Sequence, residues 1–275
     1  MLTKVEVLTE QGVLLTLPLQ DISLGYSVQN IDGLDPVKAT LVSSAFGRMD
    51  GEQYQSARRE KRNIILTLGY EPDYAVGTVQ DLRKKLYSFF MPKQRVLLRF
   101  FQTGEPTVQI YGRIESLVSP KFVKEPTATI SMLCFDPDFY NPVPVSLSGG
   151  TTSSTVESTH VYKGSVETGL LFQLFVNRPL TEFTFYHRPA DDSLRQLDFS
   201  IATPLVSGDV LSISTSPGNK YVTLTRGGVD TSLLYGISPQ SDWISLFPGT
   251  NKFRIYAEGA AIPYRIDYTL KYGGL

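Results

Sequence analysis

At 275 residues with 41% hydrophobic content, the chain has room for one large or two ordinary domains, with a full core in either case. A net charge of −1 and a sequence pI near 6.2 give no electrostatic reason to expect nucleic acid or an anionic membrane as partner. One cysteine, Cys134, excludes an intrachain disulfide, and no stretch approaches the roughly 20 apolar residues of a membrane span.

The first segment, residues 2–20, alternates as a hairpin, with Val5 and Val7 on one arm, Gly12 in the turn, and Val13, Leu15 and Leu17 on the other. Glu6 and Glu10 stand where a secretory signal needs an unbroken apolar run, so synthesis in the cytoplasm without an exit signal is expected. From Gly25 to Arg62 the pattern weakens, and the run SSAFGRMDGEQYQSARREKR is too polar to bury. It reads as an excursion from a domain body, of the kind that carries function or motion. Two-residue periodicity returns at Asn63 to Gly69, Arg95 to Phe101, Val108 to Val118 and Thr127 to Phe135, where Cys134 falls on the apolar side as a core thiol.

Between these strands, Thr78 to Phe90 is the one segment with helical spacing. Val79, Leu82, Leu86 and Phe89 share a face, opposite Asp81, Arg83, Lys84 and Lys85. Thr78 with Asp81 three residues on makes a short capping box, and Pro92 ends the helix near Phe90. A helix this short needs a sheet to lie on.

The composition breaks at CFDPDFYNPVPVSLSGGTTSSTVEST, where prolines give way to Gly, Ser and Thr, which places a boundary near Asn141. The expected domains are thus 1–141 and 142–275. Beyond the boundary, strands recur at Leu170 to Val176, Thr181 to Tyr186, Gln196 to Ile201, Val210 to Thr215, Tyr221 to Thr225, Phe253 to Ala257 and Tyr264 to Tyr272. Turns fall at Pro217 to Asn219, Gly227 and Gly228, and Pro248 and Gly249. Such spacing without helix is a β-sandwich pattern. The fold class is mainly β: one packing helix among at least six strands makes the first part an α+β or mainly β domain, and the second part is a β-sandwich.

Catalytic chemistry finds little to use. His160, in the linker region, and His187, after a strand, stand apart from each other and from the cysteine. Asp136 and Asp138 could ligate a cation, though Asp-Pro at a boundary is more often a turn device. Asp191 and Asp192 read as a solvated loop tip, and no phosphate-cradling glycine motif is present. Arg58, Arg59, Lys61 and Arg62 read first as the solvated start of a strand and second as a contact surface for an acidic partner. Trp243 could stack on a sugar, but a tryptophan that anchors a core or a loop is the commoner case. No catalytic residue, cofactor or metal is expected.

At this point the chain resembles the distal tail proteins of long-tailed bacteriophages. The first part carries GLDPVKATLV, REKRNIILTLGY, the capped helix, GRIESL and CFDPDFY. The second carries YKGSVETGLLFQLFVN, GDVLSISTSPGNKYVTL, GVDTSLLYGISPQSDWISLFPGTNKF and YTLKYGGL. The order of these strings across nearly the whole chain is what carries the likeness. It implies a virion protein at the phage tail tip, whose first domain, of β-sandwich or split-barrel type, assembles with its own copies into a hexameric ring. That ring would join the tail tube protein to the baseplate hub and leave a lumen through which DNA passes without specific binding. It further implies a galectin-like second domain, which in some relatives carries or docks receptor-binding proteins. Galectin-like shape does not bring galectin function, and Trp243 has no matching histidine strand. The alternatives are a host-glycan adhesion module acting through Trp243, a baseplate hydrolase using one of the aspartate pairs, and a tail-tube subunit, against which the large second sandwich argues.

Overall fold

The computed structural model describes residues 1–47 and 50–275, so Arg48 and Met49 of the polar excursion lie outside the described residues. The chain divides into two compact units, Met1–Pro142 with Tyr272–Leu275, and Val143–Lys271. The sequence assigned all of 142–275 to the second domain, whereas residues 272–275 return to the first unit.

The first unit is an antiparallel sheet with one helix. Its strands are β1 (Leu2–Thr9), β2 (Leu14–Pro18), β3 (Tyr26–Asp32), β4 (Ala39–Ala45), β5 (Glu52–Arg59), β6 (Arg62–Tyr70), β7 (Arg95–Gln102), β8 (Val108–Val118), β9 (Thr127–Cys134) and β10 (Phe139–Tyr140). The main sheet runs in the order β2-β1-β7-β8-β9-β6-β3, and β10 pairs with β8 and with a short strand at Lys271–Tyr272. Alternate residues fill the core: Val5 and Val7, Leu15 and Leu17, Ile64, Leu66 and Leu68, Val96, Leu98 and Phe100, Ala128, Ile130, Met132 and Cys134. Val13 is an exception to the expected hairpin. Its carbonyl accepts from the Thr9 N–H in the turn, and its side chain is exposed.

Helix α1 (Val79–Phe89) is capped as its sequence expects: the Thr78 N–H donates to Asp81 Oδ2 at 3.1 Å, and the Thr78 hydroxyl donates to the same oxygen at 2.8 Å. Leu86 and Phe89 are buried in the common core. Arg83, expected on the solvent face, is buried as well. Its guanidinium reaches Ser119 Oγ at 3.0 Å, the Pro120 carbonyl at 3.2 Å and Gln80 Oε1 at 3.1 Å, so the charge is satisfied below the helix rather than in water.

The second unit contains β11 (Val145–Gly150), β12 (Ser158–Tyr162), β13 (Thr168–Gly169), β14 (Leu171–Phe175), β15 (Leu180–Arg188), β16 (Arg195–Leu205), β17 (Val210–Ser214), β18 (Tyr221–Arg226), β19 (Val229–Ser232), β20 (Ser245–Leu246), β21 (Gly249–Tyr256) and β22 (Pro263–Tyr268). A six-stranded sheet, β11-β22-β14-β17-β18-β19, and a four-stranded sheet, β12-β21-β15-β16, make the two layers of a sandwich. Phe172 of the first sheet meets Phe183 and Phe185 of the second at ring-centroid distances of 5.7 and 5.3 Å, and Phe183 stacks on Phe199 at 5.2 Å. Asp209, almost fully buried, is held by Arg226 through bonds of 2.8 and 2.6 Å and by the Val206 N–H at 2.8 Å.

Two expectations change here. β11 and β12 lie in the Ser, Thr and Gly-rich stretch taken as linker, and they are recruited by pairing with β22 and β21 rather than by an apolar period of their own. The last strand does not run unbroken from Tyr264 to Tyr272: β22 stops at Tyr268, opposite Val145, and the chain then joins β10.

Candidate assembly surface

The polar excursion is a two-stranded arm. β4 and β5 pair with each other and with no other described strand, and every residue of β5 is exposed. Directly opposed residues share a face, so Ala39, Leu41, Ser43 and Ala45 of β4 stand with Arg59, Ala57, Tyr54 and Glu52 of β5 on one side, and Thr40, Val42 and Ser44 with Arg58, Ser56 and Gln53 on the other; both sides mix apolar and polar residues. Leu41, Tyr54 and, just beyond β4, Phe46 are all largely open to solvent. A lone hairpin is marginal in water, and large apolar side chains left bare on it mark a contact surface.

The base of this arm is organised by Arg62, the first residue of β6, which is only 1% exposed. Nε donates to the Pro137 carbonyl at 2.7 Å. Nη1 donates to the carbonyls of Gly33 and Asp35, and Nη2 to that of Gly273, each at 2.6 Å. The guanidinium carbon lies 4.4 Å from the centre of the Phe139 ring. Burial lowers its pKa from the ordinary arginine value. One cation thus ties both chain segments that leave the sheet near the arm, Gly33 to Asp35 and Pro137, to residues 272–275. Gly33 has φ +85°, and a Cβ there would sit 2.0 Å from the Asn63 carbonyl oxygen, so no other residue fits.

Among the four basic residues singled out in the sequence, the structure therefore moves Arg62 from the surface to the core, because backbone carbonyls supply the acceptors that water would. Arg59 chelates Asp138 with both terminal nitrogens, one bond measuring 3.0 Å. Arg58 and Lys61 remain exposed. The signal that could have found Arg62 is its phase: it stands two residues before Ile64, on the face that Ile64, Leu66 and Leu68 bury.

Asp136 and Asp138 are a turn device and an ion-pair partner: Asp136 Oδ1 accepts from the Asp138 N–H at 3.1 Å, and its other oxygen accepts from the Tyr140 hydroxyl. Burial, reinforced by Asp136, raises the Tyr140 pKa. Asp191 accepts from the N–H and hydroxyl of Ser193 at 3.0 and 2.7 Å, which holds its carboxyl below the usual range, and Asp192 has φ +58° at the loop tip. His187 is buried between the rings of Phe247 and Phe253 and donates through Nε2 to Asn251 at 2.9 Å. His160 meets the Tyr268 hydroxyl at 2.6 Å. Burial lowers both histidine pKa values and pushes the Cys134 thiol up to about 12. Trp243 is half-buried against the second core, with the Lys220 ammonium 5.2 Å from its ring centre. Among the described residues no group of three or more His, Cys, Asp or Glu is arranged to hold a metal ion.

Known proteins agree with this architecture. Residues 163–272 match the family model of the siphovirus-type tail component, C-terminal domain. Over nearly its full length the chain is similar to the crystal structure of the SPP1 Dit (gp 19.1) protein, described as a paradigm of the hub adsorption apparatus in phages infecting Gram-positive hosts. That likeness has a TM-score of 0.67 at 17% identity and covers 97% of this chain and 98% of that one. A chain in the phage P2 baseplate, solved in its activated conformation with Ca, is similar with a TM-score of 0.51 at 11% identity, with 100% of each chain covered. No curated protein matches by sequence. The segment 163–272 is thus a phage tail component domain. More particularly, the whole chain has the fold of a distal tail protein.

Proposed function

We propose that this chain is a structural, non-catalytic protein of the phage tail tip, whose copies assemble through the first unit into a hexameric ring joining the tail tube to the baseplate hub. The observation that carries this reading is the β4–β5 arm, a hairpin that pairs with no other described strand and leaves Leu41, Tyr54 and Phe46 exposed above an anchored base. A ring needs two different patches per subunit, and an arm that reaches the next copy supplies one of them. Arg58 and Lys61 at its root are available to an acidic neighbour. In this reading the second unit carries or docks receptor-binding parts, the near-neutral net charge of −1 lets DNA pass without sticking, and the protein resides in the virion. Trp243 is not assigned to glycan, because core packing and Lys220 occupy it.

The test is the mass of the full chain by light scattering. The expected value is six times 30.6 kDa, about 184 kDa. Replacing residues 39–59 by a short Gly-Ser loop should give smaller species with both units folded. A hexamer indifferent to loss of the arm would remove the arm from the interface, and a monomer at every concentration would remove the ring.

A further inference from the structure

At the end of the main sheet remote from the arm, three loops gather, residues 19–25, 71–78 and 119–126. They are brought together because Tyr26 stands opposite Tyr70 and Thr127 opposite Gly69. Two features there complement each other and neither is filled by the chain itself.

The first is a groove of about 680 Å³ beside the start of α1, walled by Ile22, Leu24, Val76 and Leu82. Gly25 permits its depth: with φ +82°, its missing Cβ would lie 2.8 Å from Leu82 Cδ2. Glu71, Asp73 and Asp81 border the groove, with Lys85 the one cation among its lining residues. Val76 is 88% exposed, a branched apolar side chain held in water.

The second is the tip of the β8–β9 loop, Lys121-Phe122-Val123-Lys124, where Phe122 is 100% exposed. The base of this loop is pinned: the Ser119 hydroxyl donates to the Thr127 carbonyl at 3.1 Å, and Arg83 of α1 donates to Ser119 Oγ and to the Pro120 carbonyl. The aromatic tip is thus displayed from a fixed root.

Arg83 and Lys85 are two residues apart, about 200° of helical turn, so loop and groove lie on opposite flanks of α1. An apolar knob flanked by two lysines on one side, and an apolar hole rimmed by three carboxylates on the other, are the two halves of a head-to-tail contact. We propose that Phe122 of one copy seats in the groove formed by Ile22, Leu24, Val76 and Leu82 of the next. This inference rests on the ring reading above and names a contact within it. The occupant is a second copy because the same chain presents both the shape and the charge that the groove lacks.

Cross-linking tests it in the full chain, whose natural thiol, Cys134, is buried and so silent. Phe122→Cys and Val76→Cys variants are prepared separately, mixed and oxidised with copper phenanthroline. A covalent dimer is expected in the mixture and in neither variant alone, and the double variant should give a ladder ending at six chains. Phe122→Ser should weaken association about tenfold or more while leaving the circular dichroism of the folded subunit unchanged, since the side chain contacts nothing within its own subunit. A hexamer that yields no mixed cross-link and tolerates Phe122→Ser overturns this contact and leaves the ring standing. A covalent dimer formed by the Phe122→Cys variant alone overturns it in favour of a two-fold contact. A wild-type chain that is monomeric, with no cross-link, sinks both readings.

Discussion

Replacing Arg62 should unlock the base of the arm, and the size of the effect follows from its bonds. A hydrogen bond to a charged group contributes about 1.5–3 kcal/mol, and Arg62 makes four, to the carbonyls of Gly33, Asp35, Pro137 and Gly273. The desolvation of the guanidinium offsets several kcal/mol of that sum. Removal nevertheless strands four acceptors in a site closed to water, so Arg62→Ala should cost about 3–5 kcal/mol. For a unit of about 150 residues this lowers the transition by about 10–15 °C. Differential scanning calorimetry of the full chain would read it, with the transition of the second unit as internal reference. Arg62→Lys, which keeps charge but loses the planar fork, should fall between. Arg62→Met keeps a stem over Phe139 yet leaves the carbonyls unmet, and should resemble alanine. A methionine variant as stable as wild type would refute the reasoning, because packing alone would then explain the site. Limited proteolysis should cut between residues 33 and 61 faster in the alanine variant.

Leu86→Asp, which places an unpaired carboxylate beneath α1, should lower the stability of the first unit by several kcal/mol, and an unchanged calorimetric transition would contradict the packing described. Asp209 is depressed below its ordinary value of 3.8 chiefly by its bond from Arg226, so its contribution is present above that value and is lost as pH falls through the folded-state pKa. Acid titration followed by near-ultraviolet circular dichroism should therefore show Asp209→Asn less stable than wild type at neutral pH, with the difference vanishing in the acid range. Residues 1–141 alone lack the Gly273 acceptor of Arg62, whereas residues 1–142 joined by a short Gly-Ser linker to 272–275 retain it. The joined chain should form rings by light scattering and the truncated one should be less stable; equal stability would count against the role given to residues 272–275.

What was legible in the sequence divides by mechanism. The strands of the first unit announced themselves because each buries one face of a sheet, so Ile64, Leu66 and Leu68 alternate with residues that need not be apolar. The cap of α1 was legible because Thr78 and Asp81 act on adjacent backbone. Arg62 and Arg83 were misplaced for one reason: an arginine is buried when distant carbonyls or hydroxyls converge on it, and that convergence is a property of the fold. β11 and β12 escaped because their stability is borrowed from partner strands far along the chain. The arm was correctly expected to stay unburied, but its strands were hidden by the same exposure, since a hairpin with two open faces has no reason to alternate. The proposed contact of Phe122 with the groove had a faint trace, an aromatic between lysines in a proline-bounded loop, but the groove itself is assembled from separated segments.

The strand at Lys271–Tyr272 pairs with β10, so the chain leaves the first unit and comes back to it through neighbouring backbones. Any tension applied to the second unit is shared between two covalent leads instead of falling on one. Both leads end close to the carbonyls of Pro137 and Gly273, which one guanidinium clamps together. Load entering there would meet the strand pairings at Phe139–Tyr140 and Lys271–Tyr272 first and that clamp behind them, so drawing either lead out of the sheet means breaking both in turn.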